Sequence, residues 1–377
     1  MMKIADLPFD AESMLAGLRP WIECESPTFD AAAVNRMMDV ASRDLALMGA
    51  LVERVPGRMG RGDCVRARLP HPRQGEPGIL VMAHLDTVHP VGTINVLPFR
   101  REGDRAWGPG LCDMKGGTYL SFEALRVLAR IGVATKLPVT ILLTSDEEIG
   151  SPSTRDLIEA EASRHRYILV PEPGLKDGGM TTGRYAIARF DLATVGKPSH
   201  AGARLADGRS AIREMCRKII EIEAMTTEDC TFSVGVLHAG QWVNCVSSRA
   251  VAEALSMAKR QEDLDAGVAK MLALNAPDAE VAFEVRRGVT RPVWEPGEGT
   301  LALFEMAKGF AAELGIEAWR QSSGGGSDGN FTGAMGLATL DGLGVEGAGI
   351  HTLDEHIHVP TLVSRGKVMA GLLATLE

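Results

Sequence analysis

The 377-residue chain lacks paired cysteines, long apolar runs and any excess of basic charge. Its six cysteines, Cys24, Cys64, Cys112, Cys216, Cys230 and Cys245, stand singly, with no C-x-x-C pair. They read as reduced thiols of a cytoplasmic protein rather than as metal ligands. No stretch of about 18 apolar residues occurs, so no membrane-spanning helix is expected. The opening MMKIADLPFDAES has no apolar centre of the kind a secretory signal carries. Forty Lys and Arg against 49 Asp and Glu give a net charge of −9. Without a basic stripe to neutralise phosphates, nucleic acid is excluded as the main partner. There is no internal repeat and no low-complexity tract. What is present is a 45% hydrophobic composition, enough for a full core, and 42 glycines. The length suits two domains.

Residues 10–50 carry apolar positions at helical spacing, with Gly49 near the end. From Leu51 to Gly150 strand and helix patterns alternate, with a helix expected at Leu120–Ile131. That alternation predicts an α/β fold: a mixed, mostly parallel sheet with helices on both faces. The pattern changes near Gly183. YAIARFDLATV reads as a half-exposed strand and Ser210–Met225 as an amphipathic helix. TFSVGVLHAG and WVNCVSSRAVAEALSMA read as two strands, Asp263–Leu274 as a helix and AEVAFEVRRG as a strand. This β-α-β-β-α-β order matches a ferredoxin-like α+β unit. The expected organisation is a discontinuous domain of residues 1–182 and 293–377, interrupted by an inserted domain of residues 183–292. Thr300–Leu314 is a further helix.

Acidic residues and histidines follow the apolar runs. His84 and Asp86 come after Ile79–Ala83, Glu147 and Glu148 after Val139–Thr144, and Glu172 after Tyr167–Val170. In open α/β sheets ligands bind beyond the carboxyl ends of the strands, so these side chains are expected to converge. Carboxylates mixed with imidazoles suit zinc, cobalt or manganese. Asp86 could hydrogen-bond the non-metal nitrogen of His84; alternatively His84-Leu85-Asp86 is a surface pair. Asp113, between glycine turns, could bridge two metals or simply cap a helix. Adjacent glutamates on an extended segment face opposite ways. One of Glu147 and Glu148 could then bind metal while the other takes a proton from water and passes it to a leaving amine; a solvated acidic turn is the plainer reading. Glu172 sits between prolines that fix its backbone. His351 follows a glycine-rich loop, with His356 and His358 as rivals. Gly342-x-Gly344-x-x-Gly347 imitates a dinucleotide fingerprint but is not followed by a helix. Gly324–Gly326 would let backbone amides approach a substrate carboxylate.

Taken together, AHLDTV (83–88), GPGLCDMKGG (108–117), TSDEEIGS (144–151), PEPG (171–174), GKPSHAG (196–202), SGGGSDGNF (323–331) and DGLGVEGAGIHTLDEH (341–356) resemble the M20 family of dinuclear zinc exopeptidases and deacylases, in particular its glutamate carboxypeptidase-like branch. The resemblance implies that Asp113 bridges two divalent ions, Zn2+ or else Co2+ or Mn2+. His84 and Glu172 would complete one ion, and Glu148 and His351 the other. Glu147 would be the general base and Asp86 the orienter of His84, and the Asp113–Met114 peptide would be cis. The inserted domain would be a lid and dimerisation domain, making the protein a homodimer. His200 would reach the partner's site as an oxyanion donor worth about 3 kcal/mol. Asn244, Gly325 and Ser327 would contact substrate.

One place departs from that branch. Where an arginine of an Asp-x-Arg would grip the substrate carboxylate, this chain has Leu255-Ser256-Met257, and methionine cannot make a bidentate pair. Ser247 also stands where proline is common. Arg249, Lys259 or Arg260 could substitute, or the substrate lacks that carboxylate. The expectation is therefore metal-dependent amide hydrolysis. Its form is either a carboxypeptidase acting on a peptide or N-acyl amino acid, or a deacylase or amidohydrolase on an unusual amide. A non-catalytic metal-binding relative would have lost Glu147 or a ligand, and none is lost.

Overall fold

The computed structural model describes residues 3–377 as two compact units. One comprises the chain through Gly183 with Glu295–Ser323 and Ser327–Glu377; the other comprises Arg184–Trp294 with Gly324–Gly326. The tri-glycine segment thus groups with the inserted unit, a long-range association that local sequence pattern does not encode.

The first unit opens with helices α1 (Ala11–Glu23) and α2 (Ala31–Leu47). The single helical stretch expected over 10–50 is broken after Glu23. Pro27 has no amide hydrogen to donate, and the Asp30 carboxylate caps α2 by accepting from Ala33 N at 2.9 Å. Strands β1 (Leu51–Val55), β2 (Cys64–Arg68) and β3 (Ile79–His84) follow, then α3 (Gly116–Arg130), β4 (Val139–Thr144), α4 (Arg155–Ala162) and β5 (Tyr167–Leu169). The second unit supplies β6 (Ala186–Val195), α5 (Ala211–Glu223), β7 (Cys230–Ala239), β8 (Arg249–Ala258), α6 (Gln261–Ala273) and β9 (Ala282–Arg291). The chain then returns with α7 (Glu298–Glu313), α8 (Gly329–Ala334), β10 (Ala338–Leu340) and α9 (Pro360–Thr375).

The main sheet runs β1-β2-β4-β3-β5-β10. Its β4, β3, β5 and β10 are parallel, and β1 and β2 add an antiparallel edge. All six residues of β3 and of β4 are buried, as expected where helices cover both faces. The alternation of side chains divides β3 between two cores. Ile79, Val81 and Ala83 pack with Leu18, Met37, Phe122, Phe304 and Met369 from α1, α2, α3, α7 and α9. Leu80 and Met82 pack with Ile158 and Ala162 of α4 and Phe331 of α8. Each fully buried Leu, Ile or Phe contributes roughly 1.5–3 kcal/mol, which fixes the strand and therefore the position of its carboxyl end. No helix among the described residues is long and apolar enough to cross a membrane.

The second unit is an antiparallel sheet of order β7-β8-β6-β9, a β-α-β-β-α-β chain wound in the ferredoxin-like manner. Phe190, Leu192, Ala252, Ala254 and Phe283 form its core with Met215 and Ile222 of α5 and Leu264 and Met271 of α6. The strand expected from Trp242 begins only at Arg249: residues before it form an exposed turn, with Trp242 and Val243 at the surface.

In the first unit Gly117, in the first turn of α3, meets the segment after β5. A Cβ there would lie 1.9 Å from Pro171 O, so only glycine allows the approach. Gly117→Ala is expected to destabilise the protein by about 1–3 kcal/mol, the usual cost of overpacking, read as a lower midpoint in urea unfolding. An unchanged midpoint would show that the contact is readily relieved.

Candidate metal centre

Five segments place the site. His84 ends β3, and its backbone amide contacts Met114 Sδ at 3.2 Å. Asp113 precedes α3, and its peptide bond to Met114 is cis. Glu147 and Glu148 form a turn directly after β4, Glu172 lies between two prolines after β5, and His351 occupies a loop with φ of 64°. That left-handed conformation is uncommon for a residue with a side chain and has to be held by its surroundings.

The Asp113 carboxylate lies between the two imidazoles. One oxygen is 3.3 Å from His84 Nε2 and the other 3.2 Å from His351 Nε2. Glu172 Oε1 is 3.8 Å from His84 Nε2, and Glu148 Oε2 is 3.1 Å from His351 Nε2. His84, Asp113 and Glu172 offer three ligand atoms within 4.8 Å of one another, and Asp113, Glu148 and His351 do the same. Glu147 Oε2 approaches His84 Nε2 at 3.9 Å but belongs to neither group. Two sets of one nitrogen and two carboxylates, sharing a carboxylate, fit a pair of borderline divalent ions by donor chemistry.

Behind the ligands, Asp86 is fully buried. Its oxygens accept from Thr28 Oγ1 at 2.7 Å, Glu147 N at 3.2 Å and Glu148 N at 3.3 Å. The nearer acceptor for His84 Nδ1 is the Asp86 carbonyl, at 3.0 Å, with the carboxylate at 3.5 Å. Asp86 therefore orients His84 mainly through its backbone, while its carboxylate holds the two-glutamate turn. The third acid, Asp146, turns away and accepts from Ser153 N and Thr154 Oγ1. Glu172 is fixed by Gly344 N, which donates to its carbonyl at 2.8 Å. One glycine of the dinucleotide look-alike thus holds the Glu172 segment.

Crowding shows in the protonation of these groups. Burial disfavours charge on His84, yet Asp113 and Asp86 outweigh it and raise the imidazole well above its usual range. Hydrogen bonds to Asp113 and Glu148 raise His351 to about 10. Burial opposes charge on Asp113 as well, but the two histidines hold it below the usual carboxylate range. Burial, then the Asp113 charge, raises Glu148 to about 8 and Glu172 well above the ordinary value.

His200, Asn244 and Gly325 belong to the second unit. His200 Nδ1 accepts from Gly202 N at 3.2 Å and Ala203 N at 3.0 Å, which leaves the proton on Nε2 as an exposed donor. Asn244 is exposed and its carbonyl accepts from Ala201 N in the His200 loop. The Gly325 carbonyl accepts from Arg184 at 2.8 Å. The Ser327 hydroxyl is buried, donates to Asp341 at 2.6 Å and accepts from Gly329 N, so it organises its loop. His356 packs on Trp107 and its Nδ1 pairs with Asp354 O, away from the ligand groups. Sequence reasoning missed Thr28, Glu355 and His89. A lone threonine far upstream carries no signal, but a glutamate four residues after His351 could have been weighed with the rival histidines.

The sequence profile of peptidase family M20/M25/M40 matches residues 80–375. The chain belongs to this family. Carboxypeptidase G2 of Pseudomonas sp. (strain RS-16) is 30% identical over 97% of this chain and 89% of its own length. A succinyl-diaminopimelate desuccinylase of Thioalkalivibrio sulfidiphilus is 23% identical over 81% and 85%. An M20 family metallo-carboxypeptidase of Sulfolobus solfataricus shares the fold, with a TM-score of 0.77 at 16% identity over 97% of this chain and 99% of that one. The chain is thus an M20 hydrolase, from a family of metal-dependent peptidases and deacylases.

Without metal, hydrogen bonds to Asp113 and Glu148 keep a proton on His351 up to about pH 10, and an ion bound through this imidazole would have to expel it. Metal uptake at pH 7 is therefore expected to release protons, and apparent affinity to rise as pH is raised from 6 to 9. Calorimetric zinc titrations in buffers of differing ionisation enthalpy measure this. Proton-neutral binding with a flat pH dependence would rule the ligand assignment out.

Proposed function

We propose that this chain is a dinuclear zinc amide hydrolase acting on peptides or N-acyl amino acids that end in a free carboxylate. Asp113, shared between two imidazoles that each have a glutamate of their own, carries the reading, together with the Glu147 carboxylate, which stands near His84 and within neither group. Two divalent ions bound there would polarise the scissile carbonyl and acidify water. His84, Asp113 and Glu172 would hold one, and Asp113, Glu148 and His351 the other. Glu147 takes the proton of the attacking water on its carboxylate and delivers it to the leaving nitrogen. Asp86 keeps the Glu147 and Glu148 amides in register for this, because its carboxylate accepts from both. His200, with its proton on Nε2, donates to the developing oxyanion of the partner subunit's site in a homodimer.

Carboxypeptidase G2 supports release of a C-terminal amino acid, and the desuccinylase supports deacylation. Met257 bears on the choice, and its surroundings favour a substrate carboxylate in either case. Of the expected substitutes, Arg260 pairs with Asp263 and Glu262, and Lys259 lies 3.7 Å from Glu228. Arg249 starts β8, about 26 Å of strand away. Another arginine occupies the same face: Met257 pairs with Ile187, and Ile187 pairs with Arg291. Directly paired residues share a sheet face, so Arg291 stands in the row of Met257, two strands or about 10 Å across. Its side chain is buried and passes close by the tri-glycine segment, where a Cβ on Gly326 would lie 2.9 Å from Arg291 Cδ. Arg291 thus places a guanidinium, rather than a thioether, in the row of Met257.

Three experiments test this. Glu147→Gln is expected to lower kcat by about 10²–10⁴-fold with metal content intact. His200→Ala is likewise deficient, and mixing the two under verified subunit exchange should restore activity in heterodimers. Full activity of Glu147→Gln would end the mechanism, and absence of recovery would end the trans assignment. Arg291→Met is expected to raise KM about 10–100-fold for substrates with a free terminal carboxylate, the equivalent of a lost charged hydrogen-bond pair, and to spare carboxylate-free amides. Equal effects on both substrate classes would remove Arg291 from recognition.

A further inference from the structure

Glu355 lies in the first unit, four residues beyond His351, and is 1% exposed. Its carboxylate is saturated. Oε1 accepts from Cys112 N at 2.8 Å and Asp113 N at 3.1 Å, and Oε2 accepts from Gly110 N at 2.9 Å and His89 Nε2 at 2.7 Å. Three of these donors are backbone amides of the loop that delivers Asp113, one being the amide of Asp113 itself. The same two loops meet again at the backbone, where Gly108 N donates to Glu355 O at 3.3 Å, and through Trp107 Nε1, which donates to Asp354 Oδ1 at 3.2 Å. His89, buried two residues beyond Thr87, ties this carboxylate to the segment following β3. One side chain therefore joins the segments that carry His84, Asp113 and His351.

We propose that Glu355, seated by His89, is a positioning residue that fixes the Asp113 carboxylate midway between the two ligand groups and locks the His351 loop to it. Buried backbone amides need an acceptor, and a concave run of them holds a full negative charge well. Glutamine cannot take over. One end of its amide is a donor, and it would face either Cys112 and Asp113 or Gly110 and His89, donor against donor. The Asp113 loop would then relax toward another acceptor and carry the shared ligand with it, so both ion sites weaken together. Loss of His89 leaves three of the four donors, and its effect has the same direction and a smaller size.

The inference rests on the dinuclear reading, and the test separates the two. Zinc affinity and the cobalt absorption spectrum are measured for the full-length wild type, Glu355→Gln, His89→Ala and a stability control, Leu45→Ala, from the α2 face of the core. Wild type is expected to bind two ions. Glu355→Gln should remain folded by circular dichroism, bind both ions about 10–100-fold more weakly, as is usual when a partner behind a ligand is lost, and show an altered cobalt spectrum. The kcat of the loaded enzyme should fall with little change in KM. Leu45→Ala should lose thermal stability and bind zinc like the wild type. Glu355→Gln that behaves like Leu45→Ala, less stable but with wild-type affinity and spectrum, would overturn the positioning role and leave the dinuclear site standing. Wild type that binds no ion would overturn the dinuclear reading itself. If Glu355→Gln does not fold, His89→Ala decides by the same criteria.

Discussion

The structure depends on one electrostatic conflict, the gathering of four carboxylates around two imidazoles at the carboxyl ends of buried strands. Asp113, Glu147, Glu148 and Glu172 come within hydrogen-bonding or close ionic range of His84 or His351. Taking such charges out of water is costly, and without cations it is met by proton uptake: the histidines and two of the glutamates are all shifted toward their protonated forms. A fold that keeps this arrangement must restrain the backbone firmly enough to resist its relaxation. The restraint comes from the all-buried β3 and β4 and from buried acceptors outside the ligand groups.

Those acceptors divide the work. Asp86 binds the amides of Glu147 and Glu148, and Glu355 binds those of Gly110, Cys112 and Asp113. Each holds charge in the interior by surrounding it with fixed N–H groups, and each thereby fixes a loop that carries a ligand. A loop on its own would fluctuate. A loop whose amides close on a buried carboxylate has few other ways to satisfy them.

Much of the fold was legible because burial leaves a periodic trace. Ile79–His84 and Val139–Thr144 read as continuous apolar runs since both faces of the sheet are covered, and Ala186–Val195 alternates since helices cover one face of its sheet. The break between α1 and α2 was missed because a helical period survives on both sides of it, and only the Asp30 cap and Pro27 mark the gap. The start of β8 was placed too early because Trp242 and Val243 look like strand residues, yet they are exposed on a turn. Apolar character reports a preference for burial, and the chain does not always satisfy it.

Ligand types are legible for a different reason: the chemistry admits few side chains, and a buried strand announces where they come to rest. The residues behind the ligands have no such restriction. Thr28, His89 and Glu355 bind backbone amides or a carboxylate, which many polar residues do elsewhere in the protein, and they lie far in sequence from what they hold. The same asymmetry governs recognition of the substrate. Met257 is visible in the sequence where the resembling branch carries an arginine, but Arg291 is seen to share its row only from strand register. Sheet register is a tertiary fact, so a guanidinium two strands away cannot be recognised as a neighbour of Met257 from sequence alone. A missing motif residue is therefore weak grounds for a change of substrate until the whole row has been read.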